Sequence, residues 1–234
     1  MVSDDEWNNI EWLMEARALL DWVNNLGSGP SLLMVRHSER AEDTDVPTTI
    51  KAELTDFGRI ISYEFGRRLP VRRRVSIYHS PHIRTTQTAK EIARGFQESE
   101  GVLLELEEVN VLLGGRGDIE KIVSLAYETG FDEFYRSWTR DEIPRETIEP
   151  MDDYLQRLTQ HVTSSFSKAV KDALHIHVTH DIVIAASRES YMDLSVDVGL
   201  AIPFLGGYGI SRIDDELVGF NNGSPVNVTR NLFA

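Results

Sequence analysis

The chain has 234 residues, of which 41% are hydrophobic and 26% charged; it has no cysteine and a formal net charge of −14. The length suits one α/β domain with its own core, and the lack of cysteine excludes disulfides, a thiol nucleophile and thiolate metal sites. The negative charge argues against binding to nucleic acid, and the acidic start MVSDDEWNN and short apolar runs predict a cytoplasmic protein without membrane contact.

The first 30 residues are expected to form an N-terminal helix and a linker. Apolar residues recur every three or four positions from Ile10 to Val23, which predicts a helix over residues 4–26, and NNLGSGPS then ends it. The polar face is acidic, which disfavours a lipid surface. This tryptophan-rich helix is expected to pack on its own domain, or to supply the contact of a homodimer.

Residues 31–234 alternate short apolar runs with amphipathic segments. Strands are predicted at SLLMVRHS, VSIYHSP, VLLELEEV and LHIHVTH, and helices at LTDFGRIISYEFGRRL and IRTTQTAKEIARGF. A helical insertion is predicted over about residues 110–171, and a C-terminal hairpin with turns at Asp214-Asp215 and Asn222-Gly223. The alternation predicts a three-layer α/β/α fold with a mainly parallel sheet, in which the insertion acts as a lid.

Basic residues follow three of the predicted strands. The residues that share this position are Arg36, His37 and Arg40 after the first strand, Arg84 after the second, and His180 with Asp181 after the fourth. Ligands bind at the carboxyl ends of parallel strands, so these side chains are expected in one cleft. Neighbouring guanidiniums repel unless an anion lies between them, and their forked donors match phosphate oxygens. The pattern predicts a phosphate site.

Two histidines in a phosphate site can divide the chemistry between them. A neutral imidazole can attack phosphorus, and a protonated one can stabilise the charge on the equatorial oxygens. A carboxylic acid can protonate the leaving alcohol and later take a proton from water, and Asp181 is placed for that role. Since arginines neutralise the phosphate, the chemistry requires no metal and no cofactor.

Four segments in this order resemble the histidine phosphatase superfamily, also called phosphoglycerate mutase-like. LLMVRHSER resembles its Arg-His-Gly motif, LTDFGRIISYEFGRRL its first helix, IYHSPHIRTTQTAKEIA its Ser-Pro-x-x-Arg-x-x-Gln-Thr-Ala segment, and HVTHD the strand that supplies the second histidine. The resemblance covers about residues 31–234. It implies that His37 is the nucleophile and that Arg36, Arg84 and His180 complete the phosphate pocket.

The resemblance leaves the general acid open. RHSER and HD are similar to the acid phosphatase branch, which implies that Arg40 binds phosphate and that Asp181 is the proton donor. The mutase-like branch takes a glutamate after the third strand, where Glu107 and Glu108 stand. Ser38 stands where the family usually has glycine.

The sequence HIHVTHD raises the alternative of a metallo-hydrolase, because His175 and His177 point to the same face of a strand. No other compelling histidine ligand appears, so both are expected to be structural and no metal site is predicted. We expect a metal-independent phosphomonoester hydrolase that acts on a phosphorylated small molecule or a phosphoprotein. The alternatives are a mutase-like phosphotransferase and a catalytically weak phosphate-binding module.

Overall fold

A seven-stranded sheet forms the centre of the computed structural model, which describes residues 2–41, 46–167, 170, 172–194, 202–213 and 216–228. The strand order is β3-β2-β4-β1-β5-β6-β7. The strands β1 to β4 pair in parallel, and β5 to β7 continue the sheet in antiparallel pairs. Their bounds are Ser31–Arg36 (β1), Arg74–His79 (β2), Val102–Glu108 (β3), Ala173–Thr179 (β4), Gly207–Ile213 (β5), Glu216–Asn221 (β6) and Ser224–Asn227 (β7).

Helices cover both faces of this sheet. The α-helices in the described ranges are Asp4–Asn9 (α1), Met14–Asn25 (α2), Val46–Lys51 (α3), Asp56–Arg67 (α4), Ile83–Glu98 (α5), Ile119–Thr129 (α6), Phe131–Thr139 (α7), Met151–Ser167 (α8) and Asp181–Met192 (α9). One hydrophobic core joins α1, α2, α4 and α5 to the sheet, and a second core joins α6 to α9 to its other face. The predicted α/β fold with a largely parallel sheet and two helical layers is confirmed.

The N-terminal segment is two helices rather than the continuous helix predicted over residues 4–26. Ile10 is extended, with φ −77° and ψ 108°, and a short 3₁₀ turn precedes α2. The Arg17 guanidinium donates to the Trp7 and Ile10 carbonyls and so ties α2 to the end of α1 across the break. Trp7 and Leu13 are buried in the same core as β1, so this segment packs on its own domain. A homodimer contact through it stays a prediction.

The central strands place the ends of β1, β2 and β4 side by side. Arg36 lies opposite Thr179 in the β1–β4 register, and His79 lies opposite Val178 in the β2–β4 register. Both faces of these strands are covered, which explains why nearly every residue of β1 and β4 is buried. The residues that follow β1, β2 and β4 therefore emerge at one edge of the sheet.

The helix that follows β2 is held very close to α4. A Cβ atom added at Gly66 would lie 2.1 Å from the Ile92 carbonyl oxygen, and one added at Gly95 would lie 2.1 Å from the Tyr63 carbonyl oxygen. The two backbones therefore touch where these glycines face each other's helix. Helix α4 itself begins at a side-chain cap, since the Thr55 hydroxyl accepts the Gly58 N–H at 2.9 Å.

The C-terminal strands follow the prediction in part. Asn222 and Gly223 form the turn between β6 and β7, with φ of 48° and 78°, values that favour these two residue types. The predicted turn at Asp214-Asp215 lies outside the described residues. Within the described ranges, no helix is both long enough and apolar enough to cross a bilayer.

Two histidines of the HIHVTHD stretch, His175 and His177, form a cluster with His161 of α8. The His161 ring centre lies 5.2 Å from that of His177, and Tyr78 stacks on His177 at 5.0 Å. Within the described ranges, neither ring nitrogen of His175 has a hydrogen-bond partner. Across the described part of the chain, no three histidine or carboxylate side chains are arranged to hold a metal ion. We refer to His161, His175 and His177 as the histidine cluster.

The histidine cluster predicts a loss of stability in mild acid. Burial lowers the pKa of His175 to about 4, whereas in the unfolded chain it returns to about 6.5. The unfolded chain therefore binds the proton first, and stability that is fully present above pH 6.5 is lost as the pH falls toward 4. The wild type should therefore lose unfolding free energy when the pH is lowered from about 7 to about 5. In His175→Leu this loss should be smaller by on the order of 2 kcal/mol.

Urea unfolding at both pH values measures this difference. The exposed substitution Lys90→Gln serves as the control and should behave as the wild type does. An unchanged pH dependence in His175→Leu would show that this imidazole does not cause the loss.

Candidate active site

His37 is fixed at the end of β1 by two contacts with the backbone. Its N–H donates to the Thr179 carbonyl at 3.0 Å, and its side-chain Nδ1 lies 2.8 Å from the Ser38 carbonyl oxygen. A carbonyl can only accept, so Nδ1 carries the hydrogen and Nε2 keeps its lone pair. The residue is 3% exposed. The ring is thus held as the tautomer that can attack through Nε2.

The electrostatic surroundings keep the His37 imidazole neutral. Burial lowers the pKa of His37 well below its usual value, and the positive charges of Arg84, Arg36 and Arg40 lower it further. A protonated imidazole has no lone pair to offer an electrophile. The three arginines therefore preserve the nucleophilic form at neutral pH.

His180 is held by the residue that follows β2. Its Nε2 lies 2.9 Å from the buried Ser80 hydroxyl, and its Nδ1 lies 3.4 Å from Nη2 of Arg84. The guanidinium can only donate, so Nδ1 accepts and Nε2–H donates to Ser80. Burial and then the charge of Arg84 lower the pKa of His180 well below its usual value. The His37 and His180 ring centres are 5.6 Å apart.

Arg84 reaches the same place from the first turn of α5. Its side chain is buried, with 7% of the residue exposed. Its Nη1 donates to the Thr49 carbonyl at 2.9 Å, and its Nε has no hydrogen-bond partner among the described residues. Burial, followed by the charge of Arg40, lowers the pKa of Arg84 to about 10. The Thr49 hydroxyl is hydrogen-bonded to the Tyr127 hydroxyl of α6. Helices α3 and α6 therefore cover this guanidinium.

Arg36 is held by an ion pair and by the backbone. Its Nη2 lies 2.9 Å from Oδ2 of Asp181, and its Nη1 donates to the Ile202 carbonyl at 2.5 Å. The guanidinium carbon lies 4.7 Å from the centre of the Phe204 ring, a cation–π contact. The other oxygen of Asp181 accepts the Ile182 N–H at 2.9 Å. Asp181 thus opens α9 beside the arginine that precedes the nucleophile.

The pocket has more positive than negative charge. Arg40 lies close enough to Arg36 for the two charges to repel. Burial and then the charge of Arg36 lower the pKa of Arg40. Three polar atoms of the pocket are buried without a hydrogen-bond partner among the residues that the structure describes: Nε of Arg36, Nε of Arg84 and Oγ of Ser38. Donors of this kind suit the oxygens of a tetrahedral anion. The predicted site residues Arg36, His37, Arg40, Arg84, His180 and Asp181 are all brought together.

The two glutamates considered as the general acid are the last two residues of β3. Glu107 and Glu108 line a separate cleft of about 600 Å³, together with His161 and His175. No hydrogen bond or ion pair among the described residues joins either glutamate to His37, Arg84 or His180. Asp181, by contrast, contacts Arg36 directly.

Some residues of the site have no counterpart in the sequence prediction. Thr49 and Phe204 come from α3 and from the loop before β5, where neither spacing nor chemistry marks them. His82 also lies here, 5.0 Å from His180 between ring centres. A signal for His82 was present, since it falls between Ser80 and Arg84 of the Ser-Pro-x-x-Arg segment.

Comparison with protein families gives one match. The model described as "Histidine phosphatase superfamily (branch 1)" matches residues 32–215. The match is to branch 1, although RHSER and HD resemble the acid phosphatase branch. A search of curated proteins finds no significant relative.

Solved structures share the fold at low sequence identity. Mycobacterial glucosyl-3-phosphoglycerate phosphatase is 18% identical with a TM-score of 0.51, over 87% of this chain and 97% of that chain. Phosphoserine phosphatase from Entamoeba histolytica, a mutant in complex with phosphoserine, is 16% identical with a TM-score of 0.50, over 83% and 98%. The product of an open reading frame of Mycobacterium tuberculosis is 20% identical with a TM-score of 0.50, over 85% and 95%.

The likeness to these structures concerns the fold, and the family match concerns the sequence of most of the chain. The two agree with each other and with the placement of the arginines and histidines at the ends of β1, β2 and β4. The chain belongs to the histidine phosphatase superfamily.

Proposed function

We propose that the protein hydrolyses phosphomonoesters through a phosphohistidine at His37, without a metal ion. The observation that carries the proposal is the Nδ1 contact of His37 with the Ser38 carbonyl at 2.8 Å. It leaves an unprotonated Nε2 among three guanidiniums, whose charges a phosphate dianion would balance. A phosphorylated small molecule or a phosphoprotein is the proposed substrate.

The first step transfers the phosphoryl group to the enzyme. Phosphate oxygens accept from Arg84 and Arg36, whose Nε atoms have no partner among the described residues. Nε2 of His37 then attacks phosphorus as the bond from phosphorus to the leaving oxygen breaks. His180 takes up a proton with the dianion and stabilises the charge on the equatorial oxygens.

Asp181 is the proposed general acid. The phosphate dianion competes for Arg36 and so releases Asp181 from the 2.9 Å ion pair. The released carboxylate takes up a proton from solvent and gives it to the leaving alkoxide, which departs as an alcohol.

The second step returns the enzyme to its starting state. Water attacks phosphorus, the nitrogen–phosphorus bond breaks, and the proton from water passes to Asp181. Inorganic phosphate leaves, Asp181 and His180 give their protons back to solvent, and His37 is again neutral. The guanidiniums supply charge stabilisation in both steps, so the cycle uses only groups of this chain.

His37→Ala tests the nucleophile. Because His37 supplies the attacking nitrogen in the proposed mechanism, hydrolysis of p-nitrophenyl phosphate in excess EDTA should fall by at least about 10³-fold in this variant. Circular dichroism should show an unchanged fold, since His37 lines the pocket rather than a hydrophobic core. His161→Leu is the matched control, because it removes a histidine from the histidine cluster.

The outcomes separate the candidate functions. Activity that survives in His37→Ala, or that disappears with EDTA in the wild type, would refute the proposed mechanism. A wild type that forms the phosphoenzyme but returns the phosphoryl group to an acceptor molecule would be a mutase-like phosphotransferase. A wild type that binds phosphate without forming the phosphoenzyme would be a binding module.

Asp181→Asn tests the acid. A poor leaving group needs the proton and a good one does not, so hydrolysis of an alkyl phosphate should slow by about 10²-fold or more. Hydrolysis of p-nitrophenyl phosphate should slow much less. Steady-state rates with both substrates measure the difference, and Glu108→Gln is the matched variant. If Glu108→Gln shows this selective loss instead, the acid is that glutamate.

A further inference from the structure

His82 is a third imidazole at the site. It precedes the first residue of α5 and lies two residues after Ser80. Its ring centre is 5.0 Å from that of His180, at an interplanar angle of 74°. His180 therefore has His82 as well as His37 as a ring neighbour.

The protein gives His82 less support than it gives the other two imidazoles. His37 uses Nδ1 against the Ser38 carbonyl, and His180 uses Nε2 against the Ser80 hydroxyl. Nδ1 of His82 is buried without a hydrogen-bond partner in the part of the chain that the structure describes, and the side chain does not cap α5. A buried polar atom without a partner reduces stability, so an apolar residue would serve the fold better here. The missing partner is expected to come with a ligand.

The charges around His82 identify the ligand as an anion. Arg84 faces it from its own helix, and His180 faces it from the junction of β4 and α9. Burial and then the charge of Arg84 lower the pKa of His82 to about 4, so the ring is neutral at pH 7 in the unliganded protein. A bound dianion offsets the Arg84 charge and offers oxygens that accept hydrogen bonds. Both effects favour the protonated ring.

We propose that His82 belongs to the phosphate pocket, where it donates a hydrogen bond to a bound phosphate oxygen and takes up a proton from solvent as the anion binds. The inference rests on the proposed function only in placing a phosphate group in this pocket. It assigns His82 as a substrate-binding residue. Since protons are taken up on binding, affinity for a dianion should fall as the pH rises.

Titration calorimetry with tungstate tests the proposal. Tungstate is a tetrahedral dianion that does not itself titrate near neutral pH, so any proton uptake belongs to the protein. Binding enthalpies in two buffers of different ionisation enthalpy give the number of protons taken up. His82→Leu should lower that number by up to about one proton and should weaken binding by about tenfold.

Two further variants separate binding from folding. His82→Asn keeps a donor near the Nδ1 position but does not titrate, so it should recover part of the affinity and none of the proton uptake. His161→Leu is the matched control, because burial also lowers the pKa of His161 to about 4 but places it in the histidine cluster. It should bind tungstate with the affinity and proton number of the wild type.

The outcomes are distinguishable from those for the proposed function. If His82→Leu binds tungstate with unchanged affinity and proton number, the role of His82 is refuted whatever the enzyme hydrolyses. If the wild type and variants behave as expected but no phosphomonoester is hydrolysed, the role of His82 stands and the hydrolase proposal fails.

Discussion

Two backbone hydrogen bonds join the parallel strands at the edge of the sheet where the candidate active site lies. The His37 N–H donates to the Thr179 carbonyl, and the Ser80 N–H donates to the Val178 carbonyl at 3.2 Å. Both bonds end on β4, the strand between β2 and β1, and they continue the sheet beyond its last paired residues. The positions of Ser80 and His37 relative to His180 therefore follow from strand register. A register slip would separate the imidazoles altogether.

The second constraint is the concentration of positive charge in a buried place. Arg36 and Arg84 are partly neutralised by Asp181 and by backbone carbonyls, so each guanidinium is oriented before any ligand arrives. Burial and then these positive charges lower the pKa of His37 and of His180, so both imidazoles are held in their neutral forms. In the proposed mechanism, an arriving dianion reverses this balance, because it offsets the repulsion that opposes protonation of His180. Under that proposal the pocket takes up a proton as phosphate binds.

Much of this arrangement could be predicted because it depends on periodicity. Apolar runs identify buried strands, and residues that follow such runs must meet at one edge of a parallel sheet, which located His37, Arg84 and His180. Contacts that depend on tertiary packing could not be predicted in the same way. Thr49 and Phe204 come from segments without a periodic pattern, and the break at Ile10 is invisible in a stripe that continues through it. Helical periodicity also cannot show that His161 of α8 packs against His177 of β4.

The glycine contact between α4 and α5 limits how this protein can vary. Gly66 and Gly95 let the two helix backbones touch, and α5 carries Arg84 in its first turn. A side chain at either glycine would push α5 away from α4 and so displace a guanidinium that hydrogen-bonds with a carbonyl on another helix. Substitutions in this interface lie outside the candidate active site. They would nevertheless change the geometry of the pocket, in evolution or by design, because they move the helix that carries Arg84.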